Sequence, residues 1–98
     1  MKESNYTIRE NSWLARIAAW KLGSKSVAFV LGSTIHLHNV SREEFLINRR
    51  WVKHELKHID QFRQHGYLQF IWKYLVESLR KGYYNNKYEA EARQAEES

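Results

Sequence analysis

The chain contains no cysteine and no proline, and only four glycines and one methionine. Without cysteine there is no disulfide, no thiolate zinc finger and no cysteine nucleophile, so any metal would have to be held by His, Asp or Glu. No linker, repeat or low-complexity block occurs. The opening "MKESNYTIRENSW" lacks the apolar run of a secretory signal. No stretch approaches the roughly 20 apolar residues that span a bilayer. These absences lead to the expectation of a cytoplasmic protein without a membrane partner, residues 1–98 forming a single domain.

What is present is aromatic and basic. Four Trp, six Tyr and four Phe can fill a core in a chain of 98 residues. The formal charge of +5 raises the prospect of an acidic partner, nucleic acid included. The positive residues are nevertheless spread along the chain, as on an ordinary soluble surface.

Hydrophobic spacing divides the chain into five elements. Asn11 or Ser12 can cap a first helix that carries Trp13, Leu14, Ile17 and Trp20 or Leu22 at helical intervals and stops at Gly23. Two β-rich runs, Val27 to Leu31 and Thr34 to Val40, flank Gly32-Ser33, a two-residue hairpin signal. In the second run Ile35 and Leu37 share one face, and Thr34, His36 and His38 the other. His36 and His38 would face the cleft or the solvent and could bind metal as i, i+2 neighbours, but solvated strand residues are the expected reading. Ser41 with Glu44 makes a capping-box pattern that opens one long helix, running to Gly66. A further helix follows, with Leu68, Ile71, Trp72, Leu75 and Leu79 inward and Gly82 at its end. After a turn at Asn85-Asn86 comes a short acidic helix whose end, Glu96 to Ser98, reads as solvated. The predicted class is α+β: an N-terminal helix, a β-hairpin or ribbon, a long active-site helix, then two further helices.

The long helix carries "HELKH". Histidines four apart lie on one helix face, about 5–6 Å between Cβ atoms, and can converge on one zinc. Glu55, beside the first, could take a proton from an attacking water. Alone, His54 and His58 read equally well as a polar face beside Lys53 and Lys57. A third ligand would tip the balance. His65 is eleven residues after His54, and Gln61 stands where a metzincin would have its turn glycine. Glu89, on a helix returning antiparallel past small Ala90 and Ala92, is better placed, with Glu91 as the fallback.

"HELKHIDQF", followed by a helix and then "NNKYEAEAR", resembles the gluzincin metallopeptidases in their smallest form, the minigluzincins. The likeness covers about residues 26 to 95. It implies a zinc ion on His54, His58 and Glu89, Glu55 as general base and acid, and a β-ribbon framing the cleft. Larger gluzincins often carry an aspartate four residues after the glutamate ligand to orient a zinc histidine. Arg93 occupies that position here and cannot accept a hydrogen bond, so a backbone carbonyl or Asp60 would have to substitute.

The implied reaction is zinc-assisted hydrolysis of a peptide or protein substrate, bound as a strand along the hairpin edge. Tyr84 is the favoured donor to the oxyanion, with Tyr83 and His65 as alternatives. So short a chain could also require an accessory domain or protein partner, or bind zinc without turnover. The competing reading is a small basic nucleic-acid-binding or regulatory interaction module, built on Arg49-Arg50-Trp51, Lys53, Lys57 and Trp72-Lys73. A purely structural or toxin-antitoxin-like interaction domain has neither support nor exclusion in the sequence.

Overall fold

A computed structural model describes residues 6–98. The α+β class and the expected element order hold, with five helices and a three-stranded sheet among the described residues. The order is β1 (Thr7–Arg9), α1 (Trp13–Leu22), β2 (Val27–Leu31), β3 (Thr34–His38), α2 (Arg42–Ile47), α3 (Arg49–His65), α4 (Tyr67–Asn85) and α5 (Lys87–Ala95).

The hairpin forms as its turn signal implies, with β2 and β3 antiparallel and Val30 opposite Ile35. Gly32 sits at φ +65°, a backbone conformation that favours glycine, and a Cβ there would make a tight 3.1 Å contact with the Tyr67 ring. The sheet gains a strand that sequence spacing did not reveal. Thr7–Arg9 pairs parallel to β3, giving the order β1-β3-β2 and placing β2 at an edge of the sheet among the described residues.

The sheet is covered on both faces. Val30, Ile35 and Leu37 join Phe45, Val52, Leu56, Ile59, Phe62, Phe70 and Tyr88 in the main core. On the other face α1 lies close through Ala15 and Ala19, which pack with Val27. Small side chains allow this close approach, so the expected apolar stripe of α1 is not its buried face: Trp13, Ile17, Trp20 and Leu22 are exposed. His36 is likewise not solvated but buried beneath α1. Its Nδ1 meets Ser12 Oγ at 2.9 Å and its ring stacks on Phe29. Burial, and then the nearby Arg9 charge, lower its pKa.

The expected long helix is two helices. The Ser41–Glu44 capping box opens α2, but Asn48 closes it and begins α3, its side chain accepting from the Trp51 N–H at 3.2 Å. In α4 the expected inward set is also rotated. Leu68, Trp72, Leu75 and Leu79 are exposed, and Phe70 is buried, with Ile71 and Tyr74 packed against the core. Gly82, at φ 81° and ψ 165°, breaks the helical path before Tyr83 and Tyr84. No helix of the described residues is long and apolar enough to cross a membrane.

Candidate metal centre

α3 and α5 run antiparallel side by side, and this pairing assembles the site. His54 and His58 occupy successive turns of α3, while Glu89 lies in the first turn of α5. The start of α5 is fixed by Asn86, which is fully buried. Its Oδ1 accepts from the Tyr88 N–H at 2.8 Å, and its Nδ2 donates to the Tyr74 carbonyl at 3.1 Å and to Ser78 Oγ at 2.8 Å.

Glu89 is shared between the two histidines. Its Oε1 lies 3.1 Å from His54 Nε2 and 3.3 Å from His58 Nε2. One ligand atom from each of the three side chains falls within 4.8 Å of the others. Two imidazole nitrogens and a carboxylate oxygen form a donor set of the kind zinc takes. The backs of both rings are held as well. His54 Nδ1 is 2.7 Å from Glu96 Oε2, and His58 Nδ1 is 2.9 Å from Gln61 Oε1. Gln61 Nε2 donates to the Tyr88 carbonyl and to Glu91 Oε1, which fixes the amide with its oxygen toward His58.

Because carboxylates only accept, both nitrogens of His54 carry hydrogen in the metal-free protein. Burial opposes that charge, but hydrogen bonding to Glu89, the Glu55 charge and Glu96 outweigh it and raise His54 to about 9. His58 is also raised, burial again being overcome, chiefly by Glu89 and Glu55. Burial would lift Glu89, yet its bonds from His54 and His58 hold it well below the usual carboxylate range. Exchanging the two Nε2 protons for one dication would leave the charge of the cluster unchanged. The residues fit such an ion.

Glu55 is 4 % exposed and lines the same cleft. Burial raises it to about 7, only partly offset by the His58 and His54 charges. The cleft, of about 840 Å³, runs between β2, the His54/His58 face of α3 and the inner face of α4, with Phe29, Val30, Phe62, Phe70 and Ile71 in its walls.

The remaining candidates are dispersed. Tyr84 is 68 % exposed with its ring 4.0 Å from the Arg93 guanidinium, and it is not among the cleft residues. Tyr83 does line the cleft; burial and then the Glu89 charge push it up to about 12. His65 stacks on Phe70 away from the cluster, its Nδ1 accepting from Lys73. Glu91 bonds Gln61 instead of joining the ligand group. Neither a backbone carbonyl nor Asp60 backs the histidines; Glu96 and Gln61 do, and Glu96 is not the solvated residue expected. Tyr74, Gln61 and Glu96 were not singled out by sequence as site residues. Only Gln61, three residues after His58 on the same helix, carried a local signal.

In the basic stretch, Arg50 pairs with Glu96 and Glu97, Lys53 donates to the Ser98 carbonyl, and Trp51 sets its ring edge-on to Phe45. Neither a protein-family model, nor a curated protein, nor a solved structure matches this chain.

Proposed function

We propose that this chain is a gluzincin-like, zinc-dependent metallopeptidase domain, with His54, His58 and Glu89 as the metal ligands and Glu55 as the proton-transfer group. The observation that carries the reading is the convergence of His54 Nε2, His58 Nε2 and Glu89 Oε1 beside a buried glutamate in a cleft. Zinc held there would supply Lewis-acid polarisation of a water and of the scissile carbonyl.

The chain's own residues supply the rest. Glu55, buried beside the histidines, takes a proton from the attacking water and returns it to the leaving amine. Apolar side chains form much of the cleft wall around that transfer. The edge of β2 offers backbone groups to an extended peptide, and Ile71 and Leu75 in the cleft wall receive its apolar side chains. Tyr83 takes the oxyanion-donor role first given to Tyr84, because it lines the cleft and Tyr84 does not.

The test is cleavage of a fluorogenic peptide library by zinc-supplied protein, with Glu55→Gln as control. Cleavage by the wild type, lost in Glu55→Gln while zinc stays bound, supports the reading. Zinc binding without cleavage of any peptide would reduce the function to metal binding.

A further inference from the structure

We propose that Glu96 is the positioning residue of His54, held in place by Arg50, and that zinc affinity depends on this two-step latch from the last turn of the chain. The role presupposes that His54 binds zinc as proposed above. Positions 89, 93 and 96 stand at i, i+4 and i+7, which share one helix face. On α5 that face looks at α3. The side chain at the middle position is turned elsewhere: Arg93 donates to the Tyr84 carbonyl at 2.7 Å and lies over the Tyr84 ring. The carboxylate that reaches His54 comes from one turn further along.

Glu96 uses both of its oxygens. Oε2 accepts from His54 Nδ1 at 2.7 Å, and Oε1 lies 3.2 Å from Arg50 Nη2. The Arg50 guanidinium, 63 % exposed, adds a weak second hold on the carboxylate, whose main partner is the imidazole. The imidazole in turn is aimed, its Nε2 directed at Glu89 Oε1 at 3.1 Å. Glu96 is the C-cap of α5, where the helix dipole disfavours a negative charge. A residue placed against a local preference and satisfied by two specific long-range bonds is the pattern of a functional position. Glu97 makes the useful contrast: it also meets Arg50, at 3.0 Å, but among its bonds none reaches His54.

The ion pair between Arg50 and Glu97 is exposed and contributes little by itself. The bond from Glu96 to His54 is charge-assisted and largely shielded, and outer partners of metal histidines typically govern about 10–100-fold in metal affinity. His58 is backed by the neutral Gln61 amide, so the two histidines are tuned differently.

The test is zinc affinity by competition with a chromophoric chelator, together with the proton NMR signal of the His54 Nδ1–H in the metal-free protein. Glu96→Ala is expected to weaken zinc about 10–100-fold and to lose the protected ring N–H, with the far-UV spectrum unchanged. Glu97→Ala should retain both. Arg50→Ala should weaken zinc less than Glu96→Ala, and adding it to Glu96→Ala should cost nothing more. Wild-type affinity in Glu96→Ala, or an equal loss in Glu97→Ala, would overturn the assignment. If Glu96→Ala loses its fold, the Arg50→Ala protein decides: unchanged affinity and an unchanged ring N–H would overturn it. Failure of the wild type to bind zinc would instead remove the metal reading beneath it, even if the ring N–H is present.

Discussion

Tyr74 donates its hydroxyl hydrogen to Glu89 Oε2 at 2.5 Å, while Oε1 meets His54 Nε2 at 3.1 Å and His58 Nε2 stands 3.3 Å from both oxygens. The phenol is raised far above its usual range by burial first and the Glu89 charge second, so it remains a donor at any ordinary pH. Removing this hydroxyl takes one hydrogen bond from Glu89 Oε2 and loosens the carboxylate. Tyr74→Phe is expected to weaken zinc binding about 10-fold, the lower end of the usual range for such outer contacts, while the protein stays folded. Chelator competition measures the first and circular dichroism the second.

Glu55 should separate chemistry from binding. Glu55→Gln keeps the volume and the buried position but cannot accept the water proton. The expected result is near-wild-type zinc content with peptide hydrolysis reduced at least about 10²-fold, the low end for a general acid–base group. Glu55 is raised to about 7 in the metal-free site, and a zinc ion beside it would lower that value. The acid limb of the wild-type rate profile should therefore lie below pH 7, activity rising as Glu55 deprotonates.

Metal-free protein should lose stability on the alkaline side. His54 is raised from 6.5 to about 9, so its contribution is complete below 6.5 and lost as pH rises toward 9; His58 shifts in the same direction. Glu89 is lowered, so its contribution is present above 4.5 and is lost as pH falls below that value. His36 is lowered too, and its share is lost only as pH falls from 6.5. Glu55, raised to about 7, adds a share lost as pH rises from 4.5, so the melting temperature of the metal-free protein should fall through neutrality and on toward pH 9. Zinc should abolish that drop, and binding it near pH 7 should release on the order of two protons. Melting curves with and without chelator test the first, and calorimetry in buffers of different ionisation enthalpy tests the second.

Asn86 ties the site to the scaffold. It caps α5, bonds α4 at two points and is fully buried. Asn86→Ala should cost about 1–3 kcal/mol, a fall in melting temperature of roughly 5–20 °C for a domain of this size. Because the same cap sets the position of Glu89, zinc affinity should fall as well.

Which parts were legible in the sequence follows from range. His54, Glu55 and His58 share a helix at fixed spacing, and Glu89 follows in the first turn of a helix whose return could be anticipated. Their convergence was therefore foreseeable. Glu96 and Tyr74 were not, because each meets the site across the fold, and nothing local marks a carboxylate in a C-terminal turn as anything but solvated. The apolar stripes of α1 and α4 misled for another reason. Periodicity states that a helix has an apolar face but not which neighbour covers it, and close packing through Ala15 and Ala19 leaves Trp13, Ile17 and Trp20 outside. The division at Asn48 overrode a continuous apolar pattern with one capping side chain, and β1 is too short, at three residues, to show alternation.

The most direct test is the metal content of tag-free protein purified without chelator and then supplied with zinc, measured by mass spectrometry alongside His58→Ala and Glu89→Ala. The account predicts close to one zinc per chain, on the order of the stoichiometry of a three-ligand site, abolished by His58→Ala and strongly weakened by Glu89→Ala. Wild-type protein that takes up no zinc, or a Glu89→Ala variant that holds it as tightly, would contradict the assignment of His54, His58 and Glu89 as the site.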